Sequence, residues 1–172
     1  MKIELKESRI ILTQMGLHDS VDMVRHLKTG AVQKNTLSIP FPYTEMDALS
    51  QIEKYENSDH ELAIRLKCSN TFIGRIGACQ ASSLLSHTAI IGYWLGEEFW
   101  GKGLMTEAAL AFSMYCFGSL GYERLEATCQ EENVASARVL QKCGFLQEGT
   151  IRGRYKINGV LRNAKLYGLI KT

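Results

Sequence analysis

The sequence predicts a mixed α/β fold, and three observations lead to this prediction. Short apolar segments with the alternation of β-strands occur before and after segments of helical periodicity. The longest helical segment is apolar on most sides, so other elements must cover it. Near the end, an Asn-Gly pair separates two alternating segments, which is typical of a β-hairpin. These features predict a mixed sheet with a layer of helices on each face.

The first part of the chain predicts one strand and two helices. Residues 9–13 are short and β-branched, as in a strand, and Asp19 or Ser20 then introduces a helical pattern. Both prolines of the chain fall in IPFPYT, residues 39–44, where each biases the residue before it towards an extended conformation. Residues 46–55 read as a second helix.

Three strands are predicted next. In residues 62–66 apolar side chains alternate, and residues 72–79 form another apolar run that contains two glycines. The Ser69-Asn70 pair joins these two strands as a turn. Residues 89–95 are apolar on both faces, as expected for a strand at the centre of a covered sheet.

The last part of the chain predicts a buried helix, a strand, a capped helix and a hairpin. Asn133 is a suitable N-cap and Gly144 a suitable C-terminal residue for the second of these helices. The Asn158-Gly159 pair predicts a type I′ turn in the hairpin. The segments are the helix at residues 104–117, the strand at 124–130 and the helix at 134–143.

Length and composition limit the function classes. The chain has 172 residues, of which 45% are hydrophobic, and a formal charge of +2. We therefore expect one domain over residues 1–172, with no nucleic-acid footprint and no membrane span. The N-terminal sequence does not resemble a signal peptide, so we expect a cytoplasmic protein. The five widely spaced cysteines are interpreted as small apolar fillers, without a metal site.

A glycine pair marks the first candidate site. Gly101 and Gly103 lie between a buried strand and the start of a buried helix, where their backbone N–H groups and the positive helix end form an anion site. A pyrophosphate fits such a site. The alternative is a glycine turn that binds nothing. No P-loop motif is present, and Thr106 stands where a dinucleotide-binding loop needs a third glycine.

The segment of residues 133–145, NVASARVLQKCGF, is the second candidate site. Taken alone, it is explained as a capped helix without a function. Together with the glycine loop and with RIILTQMGLHDS, IPFPYT, IGYWLGEEFWGKGLMTEAALAF and EGTIRGRYKINGV, it resembles the GNAT superfamily of acetyl-CoA-dependent N-acetyltransferases. The resemblance is closest to the RimJ/RimL-like, ribosomal-protein N-acetyltransferase-like branch. It implies a mostly antiparallel sheet with a splay between the fourth and fifth strands.

The resemblance also implies how coenzyme A is bound. The family's pyrophosphate loop, [QR]-x-x-G-x-[GA], falls on residues 100–105, where Gly103 is kept and Trp100 and Met105 depart from it. Backbone at the family's splay would hold the pantetheine arm, and Asn133 matches an Asn that contacts coenzyme A. The implied cofactor-binding residues are Leu95, Gly96, Trp100, Gly101, Lys102, Gly103, Leu104, Met105, Thr106, Asn133 and Ser136.

The proton-transfer residues of the family are only partly matched. Many members use a Tyr seven residues after the Asn as the acid, but here that residue is Leu140. The RimJ/RimL-like branch has a Ser three residues after the Asn, which assigns the acid to Ser136. The branch often has a Glu base where this chain has Ile90. Glu126 is the preferred replacement, with an ion pair to Arg124 as the equal alternative.

Other candidates for the base are His87, Glu97, Glu98 and a water molecule. A neutral amine would attack the acetyl group directly, with an oxyanion stabilised by backbone N–H from the Leu95 region. A covalent route through Cys129 is disfavoured. No metal is expected.

The acceptor pocket is predicted from Pro40, Phe41, Tyr43 and the terminal hairpin around Tyr155. The branch implies a protein or peptide α-amine, whereas other relatives acetylate polyamines, antibiotics or metabolites. A non-catalytic acyl-CoA-binding module and a nucleotide-dependent enzyme are the alternatives from other classes. Both a monomer and a homodimer are compatible with the sequence.

Overall fold

The computed structural model describes residues 2–172, which contain eight strands and four α-helices. The elements, in chain order, are β1 (Lys2–Ile3), β2 (Ile10–Thr13), α1 (Ser20–Leu27), α2 (Glu45–Tyr55), β3 (Glu61–Leu66), β4 (Phe72–Gln80), β5 (Thr88–Leu95), α3 (Leu104–Gly118), β6 (Arg124–Gln130), α4 (Val134–Lys142), β7 (Leu146–Ile157) and β8 (Val160–Ile170). Among the described residues, no helix has the length and apolarity that crossing a membrane requires.

The chain forms two compact units. The first unit contains the chain up to Ala78 together with Gly92–Phe112, and the second contains Cys79–Ile91 and Ser113–Thr172. Each unit consists of two segments of sequence, and the three boundaries, after Ala78, Ile91 and Phe112, all fall inside a strand or helix. The prediction of one domain over residues 1–172 stays a prediction.

In the first unit, neighbouring strands pair antiparallel in the order β1, β2, β3, β4. Ile10 of β2 lies opposite Leu66 of β3, and Glu61 of β3 lies opposite Gly77 of β4. Because side chains of opposite residues point to the same face of a sheet, this register decides which residues share a face.

Two helices cover one face of this unit. The α2 helix begins with a capping box, in which Thr44 and Asp47 each accept a hydrogen bond from the other's backbone N–H. Burying a large aliphatic side chain contributes about 1.5–3 kcal/mol, so the core beneath these helices is the main source of their stability. The core residues are Met15, Met23, Leu27, Val32, Ile39, Tyr43, Ala48, Ile52, Ala63, Phe72 and Trp94.

In the second unit, one parallel pair is combined with two antiparallel ones. Residues 88–90 of β5 pair with residues 124–126 of β6 in parallel, at the beginning of both strands. β5 and β6 are the fourth and fifth strands of the prediction, which did not include β1. Pairing at the beginning of both strands is the arrangement that the implied splay requires. β6 and β8 pair antiparallel, as do β7 and β8. Asn158 and Gly159 between β7 and β8 have φ of 49° and 80°, which confirms the type I′ turn.

The mixed α/β fold with a mostly antiparallel sheet is confirmed. Two details differ from the prediction. The two-residue strand β1 was not expected, because its pairing with residues 12 and 13 of β2 has no local sequence signal. The interpretation of all cysteines as buried fillers is wrong for Cys68 and Cys79, which are exposed near strand ends.

Candidate active site

The loop that precedes α3 has the backbone conformation that the glycine pair predicts. Gly101 and Gly103 have φ of 71° and 78°, in the left-handed region that side chains with a Cβ disfavour. Both glycines and Lys102 between them are exposed. The first N–H groups of α3 have no partner within the helix, and they face the end where the helix dipole is positive. The loop and the helix start can therefore bind an anion through the backbone.

Arg9, the residue just before β2, holds this loop in place. The backbone N–H and the Nε of Arg9 each donate to the carboxylate of Glu107, over 2.7 Å, and its Nη2 donates to the carbonyl oxygen of Lys102 over 2.7 Å. The Arg9 guanidinium also neutralises Glu107, which lies in the first turn of α3. A carboxylate that would repel a phosphate is thereby compensated. Neither residue was selected from the sequence.

Leu95, Gly96 and Trp100 lie together at the end of β5. The Gly96 N–H donates to the Ile73 carbonyl over 2.9 Å, and the Trp100 indole Nε1 donates to the Leu95 carbonyl over 2.8 Å. That carbonyl has a second lone pair, so it can accept one further hydrogen bond. The Gly96 N–H is engaged, so an oxyanion donor in this region must be another backbone N–H.

The remaining residues of the predicted cofactor loop begin α3. Leu104 and Met105 are buried and Thr106 is half-buried. Because their side chains are buried, Leu104 and Met105 can contact a ligand only through their backbone. Beside the loop lies an open groove of about 520 Å³. Its lining combines cations with apolar surface and consists of Ser8, Arg9, Leu66, Lys67, Cys68, Phe99, Lys102 and Leu104.

In the second unit, Asn133 and Ser136 are adjacent at the start of α4. The Asn133 Oδ1 accepts a hydrogen bond from the Ser136 N–H over 3.1 Å, which confirms the predicted cap. The Ser136 hydroxyl hydrogen-bonds with the Cys129 thiol. Burial raises the pKa of Cys129, while the Lys165 charge and the Ser136 hydrogen bond oppose that rise. A thiol with a raised pKa is a poor nucleophile, which argues against a covalent route.

Glu126 is held by a neighbouring cation. Its Oε1 accepts from Arg124 Nε over 3.0 Å, so the ion pair that was the alternative interpretation is present. Arg124 also donates to Glu148 over 2.9 Å and holds the pKa of Glu148 below its usual range. One guanidinium thus binds two carboxylates. The catalytic role of Glu126 stays a prediction.

The other base candidates have ordinary surroundings. His87 and Glu97 are exposed. Glu98 Oε1 lies 3.3 Å from Nδ1 of His26, a buried histidine whose Nε2 contacts the Phe72 carbonyl over 3.0 Å. Glu98 therefore anchors the turn after β5 to α1.

The residues predicted for the acceptor fall in both units. In the first unit, Pro40 and Phe41 are exposed, while Tyr43 is buried and its hydroxyl donates to Gln51 Oε1 over 3.3 Å. Burial raises the pKa of Tyr43 to about 12. In the second unit, the Tyr155 hydroxyl hydrogen-bonds with Thr128 Oγ1 over 2.9 Å. Tyr43 is therefore fixed in the core and Phe41 is available at the surface.

The sequence did not select a carboxylate and guanidinium pair on β3 and β4. Glu61 Oε2 lies 3.5 Å from Arg75 Nε, and both side chains are largely buried. A signal existed, because Glu61 and Arg75 interrupt apolar strands, but the contact between them depends on the pairing register. Among the described residues, no group of three or more His, Cys, Asp or Glu side chains is placed to hold a metal ion.

Comparison with known proteins identifies the family. The model of the acetyltransferase (GNAT) domain matches residues 9–146. A probable N-acetyltransferase of Bacillus subtilis, YjcK, is 32% identical over 133 residues, 74% of each chain. The N-acetyltransferase p20 of Bacillus licheniformis is 29% identical and covers 97% of this chain and 96% of its own.

The fold of a solved structure agrees with the family match. A GNAT-family acetyltransferase from Bacillus anthracis superimposes with a TM-score of 0.86 at 24% identity, covering 99% of this chain and 98% of that one. The glycine loop before α3 and the capped Asn133 helix both lie within the matched range. The predicted family is therefore confirmed: the chain belongs to the GNAT acetyltransferases and is an N-acetyltransferase.

Proposed function

We propose that the protein transfers the acetyl group of acetyl-CoA directly to a primary amine in a ternary complex. The observation that carries this proposal is the loop at residues 100–103, where two glycines of positive φ precede a buried helix. Its exposed backbone and Lys102 suit the diphosphate of coenzyme A. We assign Leu95 and Gly96 to the pantetheine arm and Asn133 to a further contact with coenzyme A.

A solved relative supports acetyl-CoA as the donor. The microcin C7 self-immunity acetyltransferase MccE, described in complex with acetyl-CoA and AMP, is 25% identical, with a TM-score of 0.77 and coverage of 95% of this chain and 93% of its own. The ion pair and hydrogen bonds between Arg9 and Glu107, which we call the clasp, also favour acetyl-CoA as the acetyl donor. The clasp removes an uncompensated negative charge from the start of the helix.

The chemistry requires a proton acceptor and a proton donor. An amine with a pKa near that of lysine, about 10.4, is neutral in only roughly one molecule in a few thousand at pH 7. A base must therefore free its lone pair before it attacks the acetyl carbon. We assign the return of a proton to the leaving thiolate to Ser136 or to water. Backbone N–H near Leu95 stabilises the oxyanion.

The base has two carboxylate candidates. Glu126 is the sequence-based one, and its Oε1 already accepts a hydrogen bond from Arg124. This contact uses one oxygen and holds the side chain. Glu61 is the second candidate and is argued below. Substituting each by Gln separates them.

The acceptor that we propose is an α-amine of a protein or peptide. The ribosomal-protein-serine acetyltransferase of Escherichia coli is 31% identical over 86 residues, 50% of this chain and 48% of its own. The spermidine N(1)-acetyltransferase of the same species is 27% identical over 124 residues, 72% of this chain and 66% of its own. Identity at this level leaves a small amine as the second candidate. We place Pro40, Phe41, Tyr43 and Tyr155 around the acceptor.

The test is an acceptor screen with two readouts. The protein is incubated with acetyl-CoA and N-terminal peptides, spermidine or an amino sugar, while free thiol and product mass are followed. We expect thiol release with the peptides and a loss of about 10²-fold in kcat for Ser136→Ala, the range typical of proton transfer. The exposed Ser119→Ala is the matched control. Acetyl-CoA binding without turnover of any amine would instead indicate a binding module.

Two further properties belong to this proposal. We propose that the reaction takes place in the cytoplasm and that the protein acts as a monomer or homodimer. Nucleic acid and membrane are not proposed as partners, since the charge of +2 is small for a chain of 172 residues.

A further inference from the structure

A carboxylate on β3 is buried without satisfying its hydrogen bonds. The Glu61 side chain is 17% exposed, and its Oε2 is fully buried and accepts no hydrogen bond. The nearest cation, Arg75 Nε, is 3.5 Å away. The carboxylate lies on Gly77, where a Cβ would be only 2.0 Å from Oε2. Because leaving a buried acceptor unpaired costs about 1–3 kcal/mol, this arrangement needs an explanation.

The partner of this carboxylate is also incompletely paired. Arg75 is 17% exposed, and its Nη1 is buried with no acceptor. Its guanidinium lies 5.4 Å from the centre of the Tyr55 ring, and its charge acts on the hydroxyl of Tyr43. Tyr43 belongs to the segment predicted to line the acceptor pocket. One unpaired acceptor and one unpaired donor therefore lie side by side on the face of the sheet that this segment covers.

The surroundings of Glu61 favour proton uptake. Burial raises the pKa of Glu61, and the charges of Arg75, Lys54 and His60 oppose the rise without cancelling it. A carboxyl group with a raised pKa is the better proton acceptor near neutral pH. The charges of Arg75 and Lys54 also make this neighbourhood unfavourable for a second positive charge on a ligand.

The residue before Arg75 on β4, Gly74, lies next to the backbone that we assign to coenzyme A. A Cβ on Gly74, the residue before Arg75, would be 2.2 Å from the Trp94 carbonyl oxygen and 2.9 Å from the Leu95 Cα. The two backbones therefore approach closely at this point. Trp94 Nε1 is a further buried donor without an acceptor.

An open position faces the carboxylate from the neighbouring strand. The Gly96 N–H donates to the Ile73 carbonyl, which gives the antiparallel register of β4 and β5. In this register, Gly77 lies opposite Gly92, four residues forward along β4 from Ile73 and four residues back along the chain from Gly96. Gly92 is exposed, and a Cβ on it would meet nothing within 4 Å. The Glu61 carboxylate, which lies against Gly77, therefore borders the open space above Gly92.

We propose that Glu61 receives the amine of the acceptor and takes its proton, while Arg75 binds a carbonyl or carboxylate oxygen next to that amine. This inference rests on the proposed acetyl transfer and specifies its acceptor. The acceptor class is an α-amine beside a carbonyl, as in a peptide N-terminus or an amino acid derivative. A polyamine, which has no such oxygen and carries further charges, is disfavoured by Arg75 and Lys54.

The proton balance is complete without another reactant. The acceptor arrives as an ammonium ion, and Glu61 takes one of its protons. The nitrogen lone pair forms the bond to the acetyl carbon, and the carbon–sulfur bond breaks as the thiolate leaves. The second proton lost by the nitrogen goes to the thiolate, directly or through Ser136. Glu61 then releases its proton to solvent, so the products are the acetylated amine, coenzyme A and one proton.

The first test compares substitutions at the carboxylate. We expect Glu61→Gln to lower kcat/KM for a peptide by about 10²–10³-fold, with acetyl-CoA binding by calorimetry unchanged. Gly77→Ala keeps the charge but displaces the carboxylate, so it should act in the same direction even where the Gln variant folds poorly. Glu53→Gln, an exposed residue of α2, is the matched control. Unchanged turnover in Glu61→Gln would overturn the proposal, and loss with Glu126→Gln alone would transfer the role to Glu126.

The second test concerns the acceptor. Alaninamide carries a carboxamide, with its carbonyl, where ethylamine has a hydrogen, and the ratio of wild type to variant cancels their different basicity. We expect Arg75→Lys to raise KM about tenfold for alaninamide and to leave ethylamine unchanged, because Lys keeps the charge but lacks Nη1. Equal effects on both amines, or binding and acetylation of spermidine but of no α-amine, would overturn the inference. If the wild type does not bind acetyl-CoA, the proposed function itself fails.

Discussion

The clasp between Arg9 and Glu107 offers the sharpest test of how the anion-binding loop is held. Glu107→Gln keeps the shape of the side chain but replaces one accepting oxygen by an amide that can only donate. In the wild type, the backbone N–H and the Nε of Arg9 each donate to Glu107 over 2.7 Å. The substitution therefore leaves at least one of these N–H groups facing another donor.

The size of the effect follows from exposure. Hydrogen bonds to a charged group contribute about 1.5–3 kcal/mol, and exposed ion pairs about 0.2–1 kcal/mol. Glu107 is 23% exposed and Arg9 58%. We therefore expect Glu107→Gln to lower the free energy of unfolding by about 1.5 kcal/mol, which for a domain of this size lowers Tm by about 3–6 °C.

The loop should respond as well as the fold. Arg9 Nη2 donates to the Lys102 carbonyl between the two glycines of positive φ, so loosening Arg9 loosens the loop. We expect the Kd for acetyl-CoA to rise about three- to tenfold, equivalent to about 0.7–1.4 kcal/mol. Thermal unfolding followed by circular dichroism and titration calorimetry measure the two effects.

A control variant and a second substitution complete the design. Glu97→Gln removes a charge from the exposed turn before the loop and should change neither quantity. Arg9→Lys keeps the charge but loses the forked contact with Glu107 and Lys102, so it should weaken acetyl-CoA binding with a smaller change in Tm. If Glu107→Gln binds acetyl-CoA as the wild type does, the clasp stabilises the fold without positioning the loop. A Tm within 1 °C of the wild type would refute the stability part of the reasoning, and unchanged values of both Tm and Kd would refute both parts.

Three further outcomes are expected. Asn133→Ala removes the side chain that accepts the N–H at the start of α4, so it should cost about 1 kcal/mol of stability, measured by urea unfolding, while Asn133→Asp should retain most of it. In the native protein, Cys68 and Cys79 should react with a disulfide reagent at once, whereas Cys116, buried and with a pKa raised to about 12, should react only after unfolding; equal rates would contradict the burial pattern. The raised pKa of Glu61 contributes stability that is fully present below pH 4.5 and is lost as the pH rises through the folded-state pKa. Over that range, the wild type should therefore lose stability relative to Glu61→Gln. Denaturant titrations at successive pH values measure the difference.

The elements that the sequence predicted well have local signals. The turn at residues 158 and 159 needs two positive φ angles, which Asn-Gly tolerates, and the helix after Asn133 needs a side-chain acceptor at its first residue. The loop at residues 100–103 likewise depends on glycines that are adjacent in sequence. Such signals are contained within a few residues, so no knowledge of the rest of the fold was needed.

The features that the sequence missed depend on pairing between distant segments. Strand β1 exists because Lys2 and Ile3 meet residues 12 and 13 of β2. The Arg9 clasp joins residues 98 positions apart, and although each lies in a segment that carries the family resemblance, neither segment predicts that the two side chains meet. The cysteine interpretation failed at Cys68 and Cys79 because a residue type's average burial does not fix the burial of one residue at a strand end.

Proton transfer illustrates the same limit in the site. The family resemblance implies a base at residue 90 and, in many members, an acid at residue 140, where this chain has Ile90 and Leu140, whereas the acid of the RimJ/RimL-like branch is matched by Ser136. From motifs alone, these two residues are a reason to doubt catalysis. The chain is nevertheless an N-acetyltransferase by its family.

The role that we propose for Glu61 answers that doubt, and its basis is visible only in the register of the strands. Neighbouring strands are about 4.8 Å apart, so a Glu on β3 reaches over β4 only where β4 has no side chain in the way. Gly77 provides that gap, because Glu61 lies opposite it and rests on its Cα. A carboxylate on one strand and a glycine on the next can therefore supply a buried proton acceptor that no single segment of sequence contains. If Glu61 is the base, as we propose, the absence of a Glu at residue 90 is not evidence that the base is lost.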